Sequence, residues 1–326
     1  MSSSNSSATT RSSEFVQSFP IGTAGVIGLC CSAHVSQIVL DVNVRHFTMA
    51  PRLVLHLHQC YRIVTSCFVH GSLMHISMNM LSTATIGALL ERRFGTLSHL
   101  VIILWSIVLT GIFYLSLAVA AQKLAGSDDL LNSHALGFSG IMFHLLVLES
   151  NLTPNATRSI FGFINVPSYA YPVAMLVVMQ VIMPNISFTG HLCGIVAGML
   201  HLYGFLDCIM LKESTLQEME QWNMLRFLMT KDNFVPTPSA SSANSESRTR
   251  RDPGAFLVHM RRGCKRARTL CGSLVETIQV TIFGRGRRAN SNIYLGNLIN
   301  PHDDSGEDDG LILGDDLTDR QVSQLV

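Results

Sequence analysis

One apolar block with few charges, running roughly from residue 21 to residue 210, constrains the fold of this chain more than any other feature. Only 14% of the 326 residues are Asp, Glu, Lys or Arg, against about a quarter in soluble globular proteins. Most of these charges lie after the block. A membrane-spanning helix needs about 20 apolar residues, and in a bilayer every backbone polar group must be satisfied internally. The sequence therefore predicts an all-α polytopic membrane protein.

Six apolar segments divide this block, near residues 21–42, 72–90, 98–120, 136–149, 168–186 and 189–210. They predict a six-transmembrane-helix bundle over 21–210, between a disordered N-terminal segment (1–20) and a largely disordered, low-complexity cytosolic tail (231–326). The fourth segment is too short to cross about 30 Å of hydrocarbon alone. Such a span is tolerated where its end is buried in protein or opens on a water-filled cavity. The last two spans are separated only by Pro184-Asn185, which predicts a tight hairpin.

Basic residues near the span ends predict the orientation, because Lys and Arg are enriched in cytoplasmic loops. With the N-terminus in the cytosol, four flanking basic residues are cytosolic: Arg92, Arg93, Arg158 and Lys212. The loop at 43–70 opposes this orientation, since it places Arg45, Arg52 and Arg62 outside. We nevertheless expect both termini in the cytosol.

The polar C-terminal part of the chain changes character along its length. Residues 211–230 have helical spacing of charged and apolar residues and predict a membrane-surface helix. Residues 248–288 are basic and residues 303–319 are acidic. The basic stretch is either a solvated tail or a site for anionic lipid. Each Lys or Arg near an anionic membrane surface contributes roughly 1 kcal/mol to binding. The cysteines show no metal-binding spacing, and Cys60 and Cys67 are expected as free thiols, with a disulfide as the alternative. No metal, cofactor or nucleic-acid partner is expected.

Two ionisable or polar side chains lie within the second span. His75 and Asn79 are four residues apart, so they lie on one face of a helix, one turn from each other. Such groups are costly inside a membrane and are therefore candidates for function. The alternative for this pair alone is hydrogen bonding between helices.

A serine flanked by glycines opens the short fourth span, in the string Gly137-Phe138-Ser139-Gly140. Small neighbours let a substrate backbone approach, and a helix N-terminus offers N–H donors and positive potential for an oxyanion. Glycine and serine also serve packing in membrane helices, so this motif alone is weak.

The last span contains three glycines at intervals of four, Gly190, Gly194 and Gly198, with His191 beside the first. This spacing makes a smooth groove that permits close approach of another helix. If that helix is the fourth span, His191 comes within reach of Ser139, as a base and its nucleophile require. The alternative is a packing face with an incidental histidine.

Together and in this order, the three motifs resemble the rhomboid family of intramembrane serine proteases. The resemblance runs from about Tyr61 to Asp207, and includes Tyr61-Arg62, where many rhomboids have Trp-Arg, and the string from Glu91 to Gly95. The six-span core is similar to that of secretory-pathway rhomboids, which implies an endomembrane location in the endoplasmic reticulum or Golgi.

The resemblance implies a role for each matching residue. Ser139 would be the nucleophile and His191 the general base of a dyad without an acidic third member. His75 and Asn79, with the backbone N–H of Ser139, would stabilise the oxyanion. The other matching positions would be structural or supporting: His70, Gly137, Gly140, Gly190, Gly194 and Gly198. The implied substrates are membrane proteins, cleaved in or near a transmembrane segment.

Two other functions are considered. A catalytically inactive rhomboid relative would bind membrane clients without cutting them, and is marked by loss of the serine or the histidine, both of which are present. A small transporter would show paired acidic residues or inverted repeats, which the sequence lacks. Residues 317–326 also resemble the start of a ubiquitin-associated domain, with chance similarity as the alternative. We expect the remaining histidines to be structural. His99 and His201 lie near span ends, where they can reach the lipid headgroups, and His144 lies on a different helix face from Ser139.

Overall fold

The protein is described from a computed structural model that covers residues 19–153, 155–184 and 186–238. Its helices in chain order are α1 (Ile21–Val39), α2 (Pro51–Leu57), α3 (Tyr61–Thr65), α4 (Leu73–Phe94), α5 (Thr96–Ala125), α6 (Ser139–Ser150), α7 (Tyr171–Ile182), α8 (Phe188–Leu202), α9 (Glu213–Glu220) and α10 (Arg226–Met229). Within the described residues, α1, α4 and α5 are long and apolar enough to cross a membrane, and α6, α7 and α8 are shorter apolar helices. The predicted helical membrane bundle is confirmed, and the chain is an integral membrane protein.

The short helix α6 lies at the centre of this bundle. Each of its residues from Gly140 to Ser150 is buried, and it packs against α4, α5, α7 and α8. A helix that is apolar on all sides is stable only when it is surrounded, so its uniform sequence and its central position agree. This position removes the difficulty that α6 is too short to cross the bilayer alone.

A two-stranded hairpin between α6 and α7 adds a short element that the sequence did not predict to the helical bundle. Strand β1 (Thr157–Ile160) pairs antiparallel with β2 (Ile164–Pro167). Phe161 and Gly162 both adopt positive φ, 51° and 79°, which is the conformation of the tight turns that suit the twist of a hairpin. Arg158 holds the hairpin to the bundle, since its Nη2 donates to Glu149 Oε1 at 2.7 Å.

The polypeptide after α7 also departs from the predicted bounds. The last apolar helix ends at Leu202 rather than near residue 210, and Gly204 follows with φ of 75°, a left-handed conformation that ends helices. The single surface helix predicted over 211–230 is divided into α9 and α10. Some predictions concern residues 1–18 and 239–326, which lie outside the described residues. They are those for the N-terminal segment, the basic and acidic stretches and the ubiquitin-associated resemblance.

A buried carboxylate joins three helices at one end of the bundle. Glu91, near the end of α4, is fully buried and accepts hydrogen bonds from the backbone N–H groups of Gly22 and Thr23, at 2.8 and 2.6 Å. These N–H groups belong to the first turn of α1, where a helix has no internal acceptors and favours negative charge. The hydroxyls of Thr23 and Thr96 also donate to Glu91, at 2.7 and 2.8 Å. Glu91 therefore caps α1 and fixes the start of α5.

The stretch after α10 returns to the same end of the bundle. The backbone of Val235 exchanges hydrogen bonds with Thr96, where the Thr96 N–H donates to the Val235 carbonyl at 2.7 Å and the Val235 N–H donates to Thr96 Oγ1 at 3.0 Å. The Asn233 carbonyl accepts from the Ile21 N–H at 3.0 Å. Residues 233–235 thus cover the ends of α1 and α5.

Replacing Glu91 with glutamine tests this cap. Each carboxylate oxygen accepts from a backbone N–H, so the amide N–H2 of glutamine would face a donor that cannot accept in either orientation. We expect Glu91→Gln to lower the free energy of unfolding by about 2 kcal/mol, the scale of a lost hydrogen bond to a charged group. Thermal unfolding in detergent measures the loss. The exposed Glu218→Gln is the control, and equal stability of the two variants would contradict the assignment.

Candidate active site

The helices α6 and α8 touch backbone to backbone, and glycine makes this contact possible. A Cβ atom on Gly194 would overlap the carbonyl oxygen of Gly140, and one on Gly198 would lie 2.9 Å from the carbonyl oxygen of His144. On the other side, a Cβ on Gly140 would lie 3.2 Å from the Gly190 carbonyl oxygen. The glycine stripe of the last span therefore packs against the fourth.

Ser139 is the first residue of α6, and two contacts hold that helix start. Gly137 has φ of 108°, and its N–H donates to the Ser66 carbonyl at 2.8 Å. The N–H of Phe138 donates to His70 Nε2 at 3.4 Å. The first N–H groups of a helix have no acceptor within the helix. The N–H of Ser139 thus lies at the positive end of the helix and has no acceptor within it.

His191 approaches Ser139 from α8. Its Nε2 lies 2.7 Å from Ser139 Oγ, a hydrogen-bond distance. Only 4% of His191 is exposed, and its ring stacks on Phe143 with centroids 4.6 Å apart. Within the described residues, His191 Nδ1 is buried without a hydrogen-bond partner. Among the described residues, no carboxylate accepts a hydrogen bond from His191 Nδ1, so Ser139 and His191 form a pair rather than a triad.

The second pair of predicted residues, His75 and Asn79, lies on α4. The His75 ring lies against Gly137, where a Cβ would be 2.7 Å from Nε2. Asn79 is buried, and its Nδ2 donates to the His75 carbonyl at 2.8 Å. An amide nitrogen carries two N–H groups, so Asn79 retains a second donor. The structure therefore brings His75 close to the start of α6, and places Asn79 one turn further along the same helix.

His70 lies behind this pair, as a supporting residue would. It is fully buried, and its ring centroid is 5.1 Å from that of His75. Its Nε2 accepts from Phe138, and its carbonyl oxygen accepts from Gln37 Nε2 at 3.0 Å. His70 thus connects the loop before α4 with α1 and with the residue next to Ser139.

Sequence reasoning missed two neighbours of the serine and histidine. Phe143, which stacks on His191, lies four residues after Ser139, so helical spacing alone could have placed it on the same face. Ser66, whose carbonyl holds Gly137, acts through its backbone and leaves no side-chain signal in the sequence.

The expectation that His99 and His201 reach the headgroups is wrong. His99 is fully buried, because α9 packs against α5 near its start. His201 Nδ1 lies 3.1 Å from His144 Nε2, so these two residues pair between α8 and α6. Within the described residues, no group of His, Cys, Asp and Glu side chains could hold a metal ion.

Comparison with known proteins agrees with this geometry. The family model of the rhomboid domain matches residues 57–208. This range contains α6 and the four helices packed against it. Rhomboid-like protein 15 of Arabidopsis thaliana is 30% identical over 250 residues, 72% of this chain and 62% of that protein. The chain belongs to the rhomboid family.

Two further rhomboid relatives extend the comparison. Rhomboid-related protein 4 of Mus musculus is 34% identical over 194 residues, 56% of this chain and 61% of that protein. Rhomboid-type serine protease 2 of Gibberella zeae is 25% identical over 220 residues, 67% of this chain and 80% of that protein. The chain thus spans just over three fifths of the length of the first two relatives.

The α6–α8 contact gives a test that does not depend on activity. We expect Gly194→Ala to push the two rhomboid helices apart and to lower the free energy of unfolding by about 1–3 kcal/mol, the usual cost of overpacking. Gly28→Ala on α1 is the matched control, because nothing lies within 4 Å of a Cβ there. Thermal unfolding of both variants in detergent compares them. A Gly194→Ala variant as stable as Gly28→Ala would show that the helices do not touch.

Proposed function

We propose that this protein is an intramembrane serine protease that hydrolyses peptide bonds in or near transmembrane segments of membrane proteins. The observation that carries the proposal is the 2.7 Å contact between Ser139 Oγ and His191 Nε2. The name of the Gibberella zeae relative, a rhomboid-type serine protease, supports the same reaction class. Transmembrane protein substrates and the bilayer are the implied partners.

The proposed chemistry uses this pair twice. His191 Nε2 takes the hydroxyl proton as Ser139 Oγ attacks the scissile carbonyl carbon, and then gives the proton to the leaving amine as the peptide bond breaks. Water, deprotonated by the same nitrogen, then attacks the acyl carbon, and His191 returns the proton to Ser139 Oγ as the ester bond breaks. The stacked Phe143 ring and the buried site restrict the His191 ring to one orientation, so little reorganisation is needed in either step.

Negative charge develops on the substrate carbonyl oxygen in both steps, and donors aimed at it contribute most to catalysis in such sites. The N–H of Ser139 at the start of α6 is one candidate. The side chains of His75 and Asn79 are the other two, because the His75 ring lies against Gly137 and Asn79, one turn along α4, keeps a second amide N–H. A fixed helix start and two side chains from a neighbouring helix would form the oxyanion site.

The proposed orientation places both termini in the cytosol. The fold engages two of the three arginines that oppose it, Arg62 and Arg52. Arg62 is buried and its Nη1 donates to two backbone carbonyls, those of Arg45 and Thr48. Arg52 pairs with Asp128 at 3.0 Å. The outer loops therefore present less positive charge than their sequence suggests. An endomembrane location and a lipid-binding basic tail complete the proposal as expectations.

Release of a fragment from a tagged single-span reporter tests the proposed reaction. We expect Ser139→Ala and His191→Ala to abolish cleavage, since the first removes the nucleophile and the second its base. Ser116→Ala and His56→Ala change the same residue types at exposed positions and should cleave normally. Cleavage that survives Ser139→Ala would refute the mechanism.

A wild-type protein that cuts no reporter needs a second measurement, because a client-binding rhomboid without activity would also behave this way. A fluorophosphonate probe reacts with an activated serine whatever the reporter. Labelling of Ser139 that is lost in His191→Ala supports a protease with another substrate. Absence of labelling in a folded wild type supports the client-binding alternative.

The oxyanion donors have a separate kinetic test. Each of His75→Ala and Asn79→Ala should lower kcat by about 10²–10³-fold, the usual effect of losing one such donor. KM should change little, because these donors act mainly in the transition state. Ser77→Ala, an exposed site on the same helix, is the control. A rise in KM at unchanged kcat would instead assign these residues to substrate binding.

A further inference from the structure

An apolar cavity of about 280 Å³ lies between α1 and the loop segments that precede α4. One wall is a stripe of α1 that includes Leu29, Ala33 and Gln37. The opposite wall contains Phe47, Phe68 and Val69. We call this cavity the α1 slot. It lies away from Ser139, none of whose neighbours in the site line it.

The walls of the α1 slot are apolar although three polar residues line it. Thr65 turns its hydroxyl to the Phe47 carbonyl at 3.0 Å. Gln37 turns its amide N–H to the His70 carbonyl at 3.0 Å. Because both donors are engaged with the backbone, and Gln37 Oε1 is itself buried without a hydrogen-bond partner among the described residues, these two side chains offer the slot little polar surface. Water needs two to four polar partners to occupy a cavity, so the slot does not suit water.

The dimensions of the slot follow the helix. Leu29 and Gln37 are eight residues apart on α1, which is about 12 Å along its axis. Leu29 is 51% exposed and the neighbouring α1 residue Val35 is 57% exposed, so the slot opens beside a surface that faces lipid. A transmembrane helix is about 10–12 Å wide and cannot enter a cavity of this volume. A single hydrocarbon chain can.

We propose that the α1 slot binds one acyl chain of a bilayer phospholipid. The chain lies along α1 from Gln37 towards Leu29, with its headgroup end near Val42 and Val44, which also line the slot. Burial of a methylene group from water contributes about 0.8 kcal/mol, but a lipid tail is already in hydrocarbon, so the gain comes from filling the void and from packing.

The position of the slot connects this lipid with the serine site. Phe68 and Val69 form part of its wall, and the next residue, His70, holds the N–H of Phe138 beside Ser139. The same Gln37 that lines the slot donates to the His70 carbonyl. A bound acyl chain thus packs against the segment that supports the helix start of α6.

Photochemical labelling of the full-length protein in lipid nanodiscs tests the proposal without any need for proteolysis. The probe is a phosphatidylcholine with a diazirine on one acyl chain. Mass spectrometry of the peptides should find adducts on the slot residues Phe47 and Val69, as well as on the lipid-facing Val35. Adducts on the lipid-facing side alone, with none at Phe47 or Val69, would overturn the proposal and show ordinary annular lipid.

Filling the slot provides the matched comparison. Ala33→Trp should remove the adducts at Phe47 and Val69, while Val35→Trp, on the exposed side of the same helix, should leave them. Ser36→Phe fills the slot from another position and replaces Ala33→Trp if that variant unfolds at a lower temperature. Slot adducts that persist in a folded filling variant would also overturn the proposal. Because the readout is labelling, a failed reporter assay would not affect it.

Discussion

The direct backbone contact between α6 and α8 is the constraint on which the site depends. Side chains on both helices would hold their axes about 8–10 Å apart, whereas Gly194 lies directly against the Gly140 carbonyl. Lipid tails are as apolar as leucine, so close packing rather than the hydrophobic effect stabilises helices in a membrane. The same contact that joins the helices brings Ser139 and His191 within 2.7 Å of each other. Packing and chemistry therefore share one set of glycines.

The rest of the bundle supplies what α6 cannot supply itself. Because α6 is short, its start lies within the protein, and polar groups from elsewhere must hold it there. The carbonyl of Ser66 and the ring of His70 do this from the loop before α4. At the opposite end of α6, Glu149 would interact unfavourably with the negative helix end, and Arg158 neutralises it. Each end of α6 is thus compensated by a residue of a neighbouring loop.

Features carried by local motifs could be predicted from the sequence, and features that depend on distant pairing could not. The GxSG string, the glycine stripe beside His191 and the short fourth span all have local signatures, and the structure brings them together. The cap that Glu91 provides has no local signature, because its donors on α1 are 68 and 69 residues away. The pairing of His144 with His201 depends on the α6–α8 crossing, which no spacing rule gives. The hairpin turn contains Phe161 at positive φ, where glycine or asparagine is the usual signal.

The pairing of Asn233 and Val235 with α1 and α5 has a consequence for the limits of the folding unit. The match to the family model of the rhomboid domain ends at residue 208. The caps of two transmembrane helices are nevertheless completed some 25 residues later in the chain. During synthesis, the first and third spans leave the ribosome well before this segment does. Their ends gain these hydrogen bonds only when the segment has been made, so this end of the bundle is completed last. A protein that ended at residue 208 would keep the serine and histidine but lack this final closure.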